Sequence, residues 1–521
     1  MDQPAPLGNV DTTRWGLAES WAADSAESSI TELIPLAAGR APSATAITDE
    51  YRSVSYRELA ALTEQFGRWL WHEGVRPGSR VVVRAEHRIE FAALAHAAMR
   101  IGATLVPLHI QLRDHQLLPI VRDADPVLVV GFDIAPPDPA DAQRFSAVPW
   151  SEVGQRVTLS VDQELPAIVR SDAAPALLFY TSGSSGTPKG VVCSHRQVSF
   201  VLEAVHTRLS YSRDDVVLCA VPMSFDYGFY QILLCARAGA ELVLADPANN
   251  VGLLQRVREV RATILPVVPT LAEMIVALSA RYRELPTLRL ITTTGEHMTP
   301  AVQHSLISAF PSAHIALMYG LTECARVSIR TPSRDDLPVD TVGHPIPGTE
   351  VVVIDDRGDV LPAGHSGQIV AIGPHVSDGY WRAPESTAAN FARCLVTGRH
   401  VLFTGDYGSL DSNGELTVHG RLDGIYKTRG IRVSAAEIER AASDIAGVRS
   451  AVLIPPRPST PAVLWVCGTV AASSVMSGLR ERLVPAKVPD RCEVLDSMPT
   501  TANGKLDRAA LRDLTARLVA R

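Results

Sequence analysis

Short apolar runs alternating with helical patterns constrain this chain more than any other feature. Val81, Val82 and Val83 suit a buried strand. Residues 91–99 follow with helical character, and Gly102 ends that segment. Residues 128–130 give another short apolar strand. Upstream, Ser55-Tyr56-Arg57-Glu58 reads as a capping box, in which a hydroxyl and a carboxylate satisfy backbone donors left open at a helix start. Leu59, Leu62, Phe66 and Leu70 then recur at helical spacing and would bury one face. Alternation of this kind predicts an α/β body with at least partly parallel sheets.

The pattern changes along the chain. Residues 1–28 are small, acidic and aperiodic, and are expected to form a disordered tail. Residues 132–170, rich in Asp, Pro and Ala, are expected to be surface loop. The strand–turn–helix pattern resumes at Leu177 and runs to about 330, and residues 342–420 alternate short β-rich runs with Gly/Pro turns. A second capping box, Ser434-Ala435-Ala436-Glu437, opens a helix in the last hundred residues. The expected organisation is the tail over 1–28, a core of αβ-layered sheets with a small β-rich subdomain over 29–420, and a small mobile α+β domain over 421–521.

Composition excludes several classes. A chain of 521 residues buries enough surface to need no disulfide staples. With 46% hydrophobic and 20% charged residues it is not wholly disordered. Forty-nine Lys and Arg against 56 Asp and Glu leave a net charge of −7, which argues against a dedicated binder of nucleic acid or anionic membrane. The seven cysteines are scattered without a CxxC pair, so neither a zinc site nor a disulfide framework is signalled. The start lacks a basic patch followed by an apolar core, and the longest apolar stretch, 264–278, is too short to span a bilayer. A cytoplasmic setting is expected, with no membrane and no nucleic acid as partner.

The apolar run 176–180 leads into Thr181-Ser182-Gly183-Ser184-Ser185-Gly186-Thr187-Pro188-Lys189-Gly190, after which residues 191–193 resume a strand. Three glycines let backbone amides converge without Cβ clashes. The hydroxyls add donors and Lys189 adds a point charge, so the loop suits a polyphosphate. The spacing fits neither GxxxxGK[ST] nor GxGxxG.

This string resembles the signature loop of the AMP-forming adenylation superfamily, which includes acyl-CoA synthetases, peptide-synthetase adenylation enzymes and luciferases. Other stretches agree in order. Tyr319-Gly320-Leu321-Thr322-Glu323 looks like YGxTE, Gly343 to Gly348 like G-x-P-x-P-G, and Thr404-Gly405-Asp406 like TGD. Arg421-Leu422-Asp423 with Lys427 and Gly430 resembles RxDxxxKxxG, and residues 499–505 resemble PxTxxGK. The likeness covers about 30 to 510. One departure is Leu402-Phe403 before Thr404, where the family often has an Arg.

The resemblance implies a carboxylate attacking the α-phosphorus of ATP to give an acyl-adenylate and pyrophosphate, and a thiol then taking the acyl group. It implies that Thr181, Ser182, Gly183, Ser184 and Lys189 hold the β and γ phosphates, and that Glu323 binds Mg²⁺. Thr322 would contact the α-phosphate, Asp406 the ribose hydroxyls and Arg421 the ribose–phosphate end. Gly295, Glu296, Tyr319 and Gly320 would frame the nucleotide. Lys505 would bridge carboxylate and α-phosphate with a flexible ammonium, and Asp423 would be the hinge of the small domain.

The acid pocket is expected around Met223-Ser224-Phe225-Asp226-Tyr227-Gly228-Phe229-Tyr230. Amino-acid-activating members have Phe-Asp there, so Asp226 would pair with a substrate ammonium; a structural Asp satisfied by backbone donors is the competing reading. A carboxylate in an apolar pocket is costly unless paired. Tyr227, Tyr230, Thr293, Thr294, Met318 and Val327 would shape the pocket. Arg326 would bind a second substrate carboxylate, or hold Asp226, or face outward. The strings around Tyr227 and Tyr319 look closest to stand-alone enzymes that load β-amino acids. Since the chain ends at Arg521, the expected acceptor is a carrier protein in trans, or CoA. Two other readings compete: a fatty- or aryl-acid CoA ligase, and a non-catalytic nucleotide-binding protein on the same fold.

Overall fold

The capping box at Ser55 forms as the sequence predicts. Glu58 N–H donates to Ser55 Oγ at 3.3 Å, and Ser55 N–H donates to Glu58 Oε2 at 2.7 Å. The helix Tyr56–His72 follows, with Leu59, Phe66 and Leu70 buried and Leu62 half-buried. The structure is a computed structural model. It describes residues 9–10, 15, 29–112, 114–132, 145–160, 164–166, 168, 171–182, 188–247, 252–279, 285, 287–331, 339–395, 397–421, 425–428, 431–456, 460–483, 487–501 and 505–519.

The chain divides into two compact units, one of Met1–Val339, Gly343–Val351 and Ala371–Leu402, the other of Asp340–Val342, Val352–Val370 and Phe403–Arg521. Two large sheets build the first. One has six strands in the order Ser146–Val148, Leu128–Val130, Arg80–Arg84, Thr104–Leu108, Pro175–Ser182, Pro188–Ser194, parallel except for the last pair. The other has nine, in the order His344–Pro345, Ser328–Arg330, His314–Tyr319, Leu290–Thr293, Ile264–Val267, Val216–Cys219, Glu241–Leu244, Thr45–Thr48, Ser53–Ser55. Its inner pairs are parallel; the antiparallel pairs lie at its ends.

Both sheets are covered on both faces, and the period-two pleat shows it. Val81 and Val83 enter one buried cluster while Val82 enters another. Val217 and Cys219 share that first cluster, and Leu218 faces a third. Strands buried on both sides read as unbroken apolar runs, which is why alternation within them was invisible in the sequence.

In the second unit the strands Val448–Ile454, Val463–Gly468 and Arg491–Leu495 form a sheet. Leu453, Leu464 and Val466 pack with Ile438, Val475 and Leu479 on one face; Val452, Val463 and Trp465 pack with Leu511 on the other. Trp465 Nε1 donates to Thr515 Oγ1 at 2.8 Å, which satisfies a buried indole.

The structure departs from the sequence reading in three places. Within the expected tail, Asn9–Val10 pair in parallel with Arg393 and Cys394, and Trp15 is buried, because an open strand edge and an apolar ring both gain by docking. The expected loop 132–170 contains the strand Ser146–Val148 and the helix Trp150–Leu159, whose Val153 and Val157 are buried one turn apart. The units part earlier than residue 420, since the hairpin of His400–Leu410 and Leu416–Arg421 is bonded from Asp406 opposite Arg421 to Leu410 opposite Leu416. At the second box, Glu437 accepts from Lys487 Nζ at 2.6 and 2.8 Å, and the side chain of Ser434 lies outside the described residues.

Candidate active site

The phosphate-loop string is carried by an antiparallel hairpin. Thr181 lies opposite Lys189 and Ser182 opposite Pro188. Gly183, Ser184 and the side chain of Ser182 lie outside the described residues. Thr181 and Lys189 are half-buried at the mouth. Just below them Gly190 rests on Tyr180, whose hydroxyl donates to Asp123 Oδ2 at 2.6 Å. Burial, reinforced by Asp123, pushes that hydroxyl far above its ordinary range, so it stays a neutral donor.

The strand His314–Tyr319 ends in a tight turn that returns as Ser328–Arg330. Val327 N–H closes the turn on the Tyr319 carbonyl at 2.8 Å. A Cβ at Gly320 would lie 2.9 Å from Arg326 Cα and closer still to the Ala325 carbonyl, so only glycine fits. Ala325 is itself left-handed, with φ 55°. Thr322 and Glu323 are half-buried in this turn. Glu323 Oε1 accepts from Tyr380 Oη at 2.8 Å, and the Lys189 ammonium stands 5.3 Å from the centre of the same Tyr380 ring. The structure thus brings the phosphate-loop lysine and the Glu323 carboxylate to one aromatic side chain. Tyr380 was missed in the sequence; its one signal there is the Gly379-Tyr380-Trp381 string after the β-rich run.

Gly295, with φ 99°, and Glu296 are exposed beyond the strand Leu290–Thr293. Thr293 and Thr294 are buried, and Thr293 Oγ1 has no hydrogen-bond partner among the described residues.

The pocket residues converge on the helix Asp226–Ala238. Arg326 Nη1 donates to Asp226 Oδ2 at 3.0 Å, with the two side chains 6% and 4% exposed. The guanidinium also lies 5.1 Å from the Tyr227 ring centre and bonds to the Ala325 carbonyl. Tyr227 Oη donates to the Thr292 carbonyl at 2.7 Å, which makes Tyr227 a wall rather than a free donor. A cleft is lined by Tyr227, Tyr230, Gln231, Leu234, Met318 and Arg326, with Val205, Leu209 and Ala325 completing it. Asp226, Thr293, Thr294 and Val327 are buried but do not line it. Arg326 thus holds Asp226, one of the roles open to it, and the carboxylate has its positive partner within the chain. Gln231, Leu234, Val205 and Leu209 were not singled out in the sequence, being indistinguishable there from core.

Asp406, Arg421 and Lys505 belong to the second unit. Asp406 is buried, and the more exposed Arg421 reaches its Oδ1 at 3.2 Å. Lys505 is half-buried, and its carbonyl accepts from Thr501 N–H at 2.6 Å. Asp423 lies outside the described residues.

A family model described as AMP-binding enzyme matches residues 35–381. The chain belongs to the AMP-binding enzyme family. It is 34% identical to VinN, solved with L-aspartate, over 75% of this chain and 98% of that one, with a TM-score of 0.67. Delta-poly-L-ornithine synthetase of Acinetobacter baumannii is 28% identical over 90% of this chain, which spans 35% of that protein's length. O-succinylbenzoate Coenzyme A Synthetase (MenE) of Bacillus subtilis, solved with AMP, shares the fold at 23% identity, over 92% of this chain and 98% of that one, with a TM-score of 0.80. The large α/β part with mixed sheets and the smaller α+β part are those of adenylate-forming enzymes. As an AMP-binding enzyme the chain activates a carboxylic acid with ATP, as an acyl-adenylate. Among its described residues, no helix is long and apolar enough to cross a membrane.

Proposed function

We propose that this enzyme activates an amino acid bearing a second carboxylate and passes it to a thiol, on a carrier protein or CoA. One observation carries the reading: the buried pair of Asp226 and Arg326. An aspartate-like acid exchanges charge for charge, with its ammonium on Asp226 and its spare carboxylate on Arg326. No buried ion is then left alone, whereas a substrate with only one of those groups strands a partner at a cost of several kcal/mol. The solved complex of VinN with L-aspartate supports this choice. A β-amino acid with a second acid group satisfies the same rule.

For the chemistry we assign Lys505 the ammonium that bridges the attacking carboxylate and the α-phosphate, and Thr322 a contact to that phosphate. Thr181, Ser182, Gly183, Ser184 and Lys189 take the outer phosphates, Gly295, Glu296, Tyr319 and Gly320 the nucleotide base, and Asp406 with Arg421 the ribose end. Asp423 is assigned the hinge. Among the described residues no three His, Cys, Asp or Glu side chains gather into a metal cage. A single carboxylate completed by phosphate oxygens and water is the donor set magnesium accepts, so Glu323 is assigned to Mg²⁺, which when bound neutralises phosphate charge.

A second reading is a fatty- or aryl-acid CoA ligase. The closed pair favours it, since Asp226 is already neutralised and most of the remaining wall is apolar, so an uncharged acyl or aryl chain needs nothing to move. On the resting geometry this asks for less than the first reading, and the likeness to a Coenzyme A synthetase supports it.

ATP–pyrophosphate exchange decides between them. Aspartate, succinate, β-alanine, benzoate and hexanoate form a sufficient panel. The first reading expects aspartate-type acids to exceed succinate and β-alanine by about 100-fold or more, for one stranded charge. Exchange driven by benzoate or hexanoate instead selects the second.

A further inference from the structure

Tyr380 is half-buried and held by several neighbours. Its backbone N–H donates to Thr387 Oγ1 at 2.9 Å, and its ring meets Phe391 edge-on at 5.3 Å. The strap around it is laced to the strand leaving the phosphate loop: Val192 N–H donates to the Gly379 carbonyl at 2.9 Å, and Trp381 N–H to the Gly190 carbonyl at 2.7 Å. The same strap reaches the other half of the site, where Ser377 N–H donates to the Glu323 carbonyl at 2.8 Å. Gly379 makes the bend, with φ 111° and no room for a Cβ beside Thr387. The ring is thereby fixed between Lys189, over its face, and Glu323, at its hydroxyl.

We propose that Tyr380 is a positioning residue for magnesium-bound ATP, its hydroxyl orienting the Glu323 carboxylate and its ring holding the Lys189 ammonium ready for phosphate. The inference rests on the assignment of Glu323 to the metal and Lys189 to the outer phosphates. A hydroxyl donating to Oε1 fixes the carboxylate plane and turns Oε2 toward a cation, as partners of metal-binding carboxylates do. A ring face holds an ammonium more weakly than a phosphate does, so the lysine is pre-placed yet free to transfer.

The test is calorimetric titration of ATP, once with Mg²⁺ and once with EDTA, on the parent enzyme, Tyr380→Phe, Tyr380→Leu and Glu323→Gln. Tyr380→Phe keeps the ring and loses the hydroxyl. It should weaken Mg²⁺-ATP binding about tenfold, leave ATP binding in EDTA unchanged, and leave the melting temperature unmoved. Tyr380→Leu should weaken binding in EDTA as well, because Lys189 loses its ring; if it fails to fold, the Phe variant alone decides. Parent-like Mg²⁺ dependence in Tyr380→Phe, beside a clear loss in Glu323→Gln, overturns the role of Tyr380 alone. Parent-like Mg²⁺ dependence in Glu323→Gln overturns the assignment of Glu323, and this proposal with it.

Discussion

Arg326 and Asp226 stand 100 residues apart in sequence and 3.0 Å apart in space, both more than nine-tenths buried. Removing one partner strands the other in a medium that solvates it poorly. Arg326→Met or Asp226→Leu alone should cost about 3–5 kcal/mol of stability, and the two together should recover most of it. A denaturant-based double-mutant cycle reads the coupling; single losses below about 1 kcal/mol would mean the pair is hydrated. In exchange assays Asp226→Ala should abolish any amino-acid-dependent signal.

Lys505 is half-buried in the second unit. Lys505→Ala should lower pyrophosphate exchange by about 10²–10³, the scale of one transition-state donor, with an unchanged melting temperature. Retained full exchange would remove Lys505 from the adenylation step.

Gly228, in the first turn of the pocket helix, admits no side chain. A Cβ there would lie 2.7 Å from the Val221 carbonyl oxygen and closer to that of Pro222. Gly228→Ala should therefore destabilise by about 3 kcal/mol, despite alanine's better helix propensity. Thermal melts of the two proteins check it, and an unchanged transition would mean the helix can back away from Pro222.

Three histidines predict an acid limit. Burial lowers His87 and His96 to about 4 and His375 to about 3, against an ordinary 6.5. The unfolded chain binds protons that the fold refuses between those values. Stability is therefore full above about pH 6.5 and falls as the pH drops toward 4, by about 3 kcal/mol per histidine. Urea unfolding from pH 7 to 4.5 measures the slope. His96→Leu should reduce it by close to one proton, about 1.4 kcal/mol per pH unit.

What could be read in advance was what depends on neighbours in sequence. The Ser55 box, the strand at 80–84 and the hairpin flanking the phosphate loop are local: caps, apolar runs and glycines state them outright. The helix Trp150–Leu159 was overlooked because its apolar face is only Val153 and Val157 amid Asp- and Pro-rich surroundings. The charge partner of Asp226 and the link from Glu323 to Tyr380, 57 residues on, are products of chain return. No spacing rule encodes them. An Arg after a tight turn looks the same whether it meets a carboxylate or water, which is why Arg326 carried three readings until the fold placed it.

The nine-stranded sheet sets Ile47 beside Leu242. A ribosome makes the first of these strands long before its neighbour exists: at about 5–20 residues per second the gap of roughly 200 residues lasts some 10–40 s. During that interval the nascent Thr45–Thr48 segment has only Ser53–Ser55 as a partner and leaves its other margin open. Translation speed across residues 50–240, and chaperone occupancy of the emerging N-terminal segment, should thus govern how much of this protein reaches its native state.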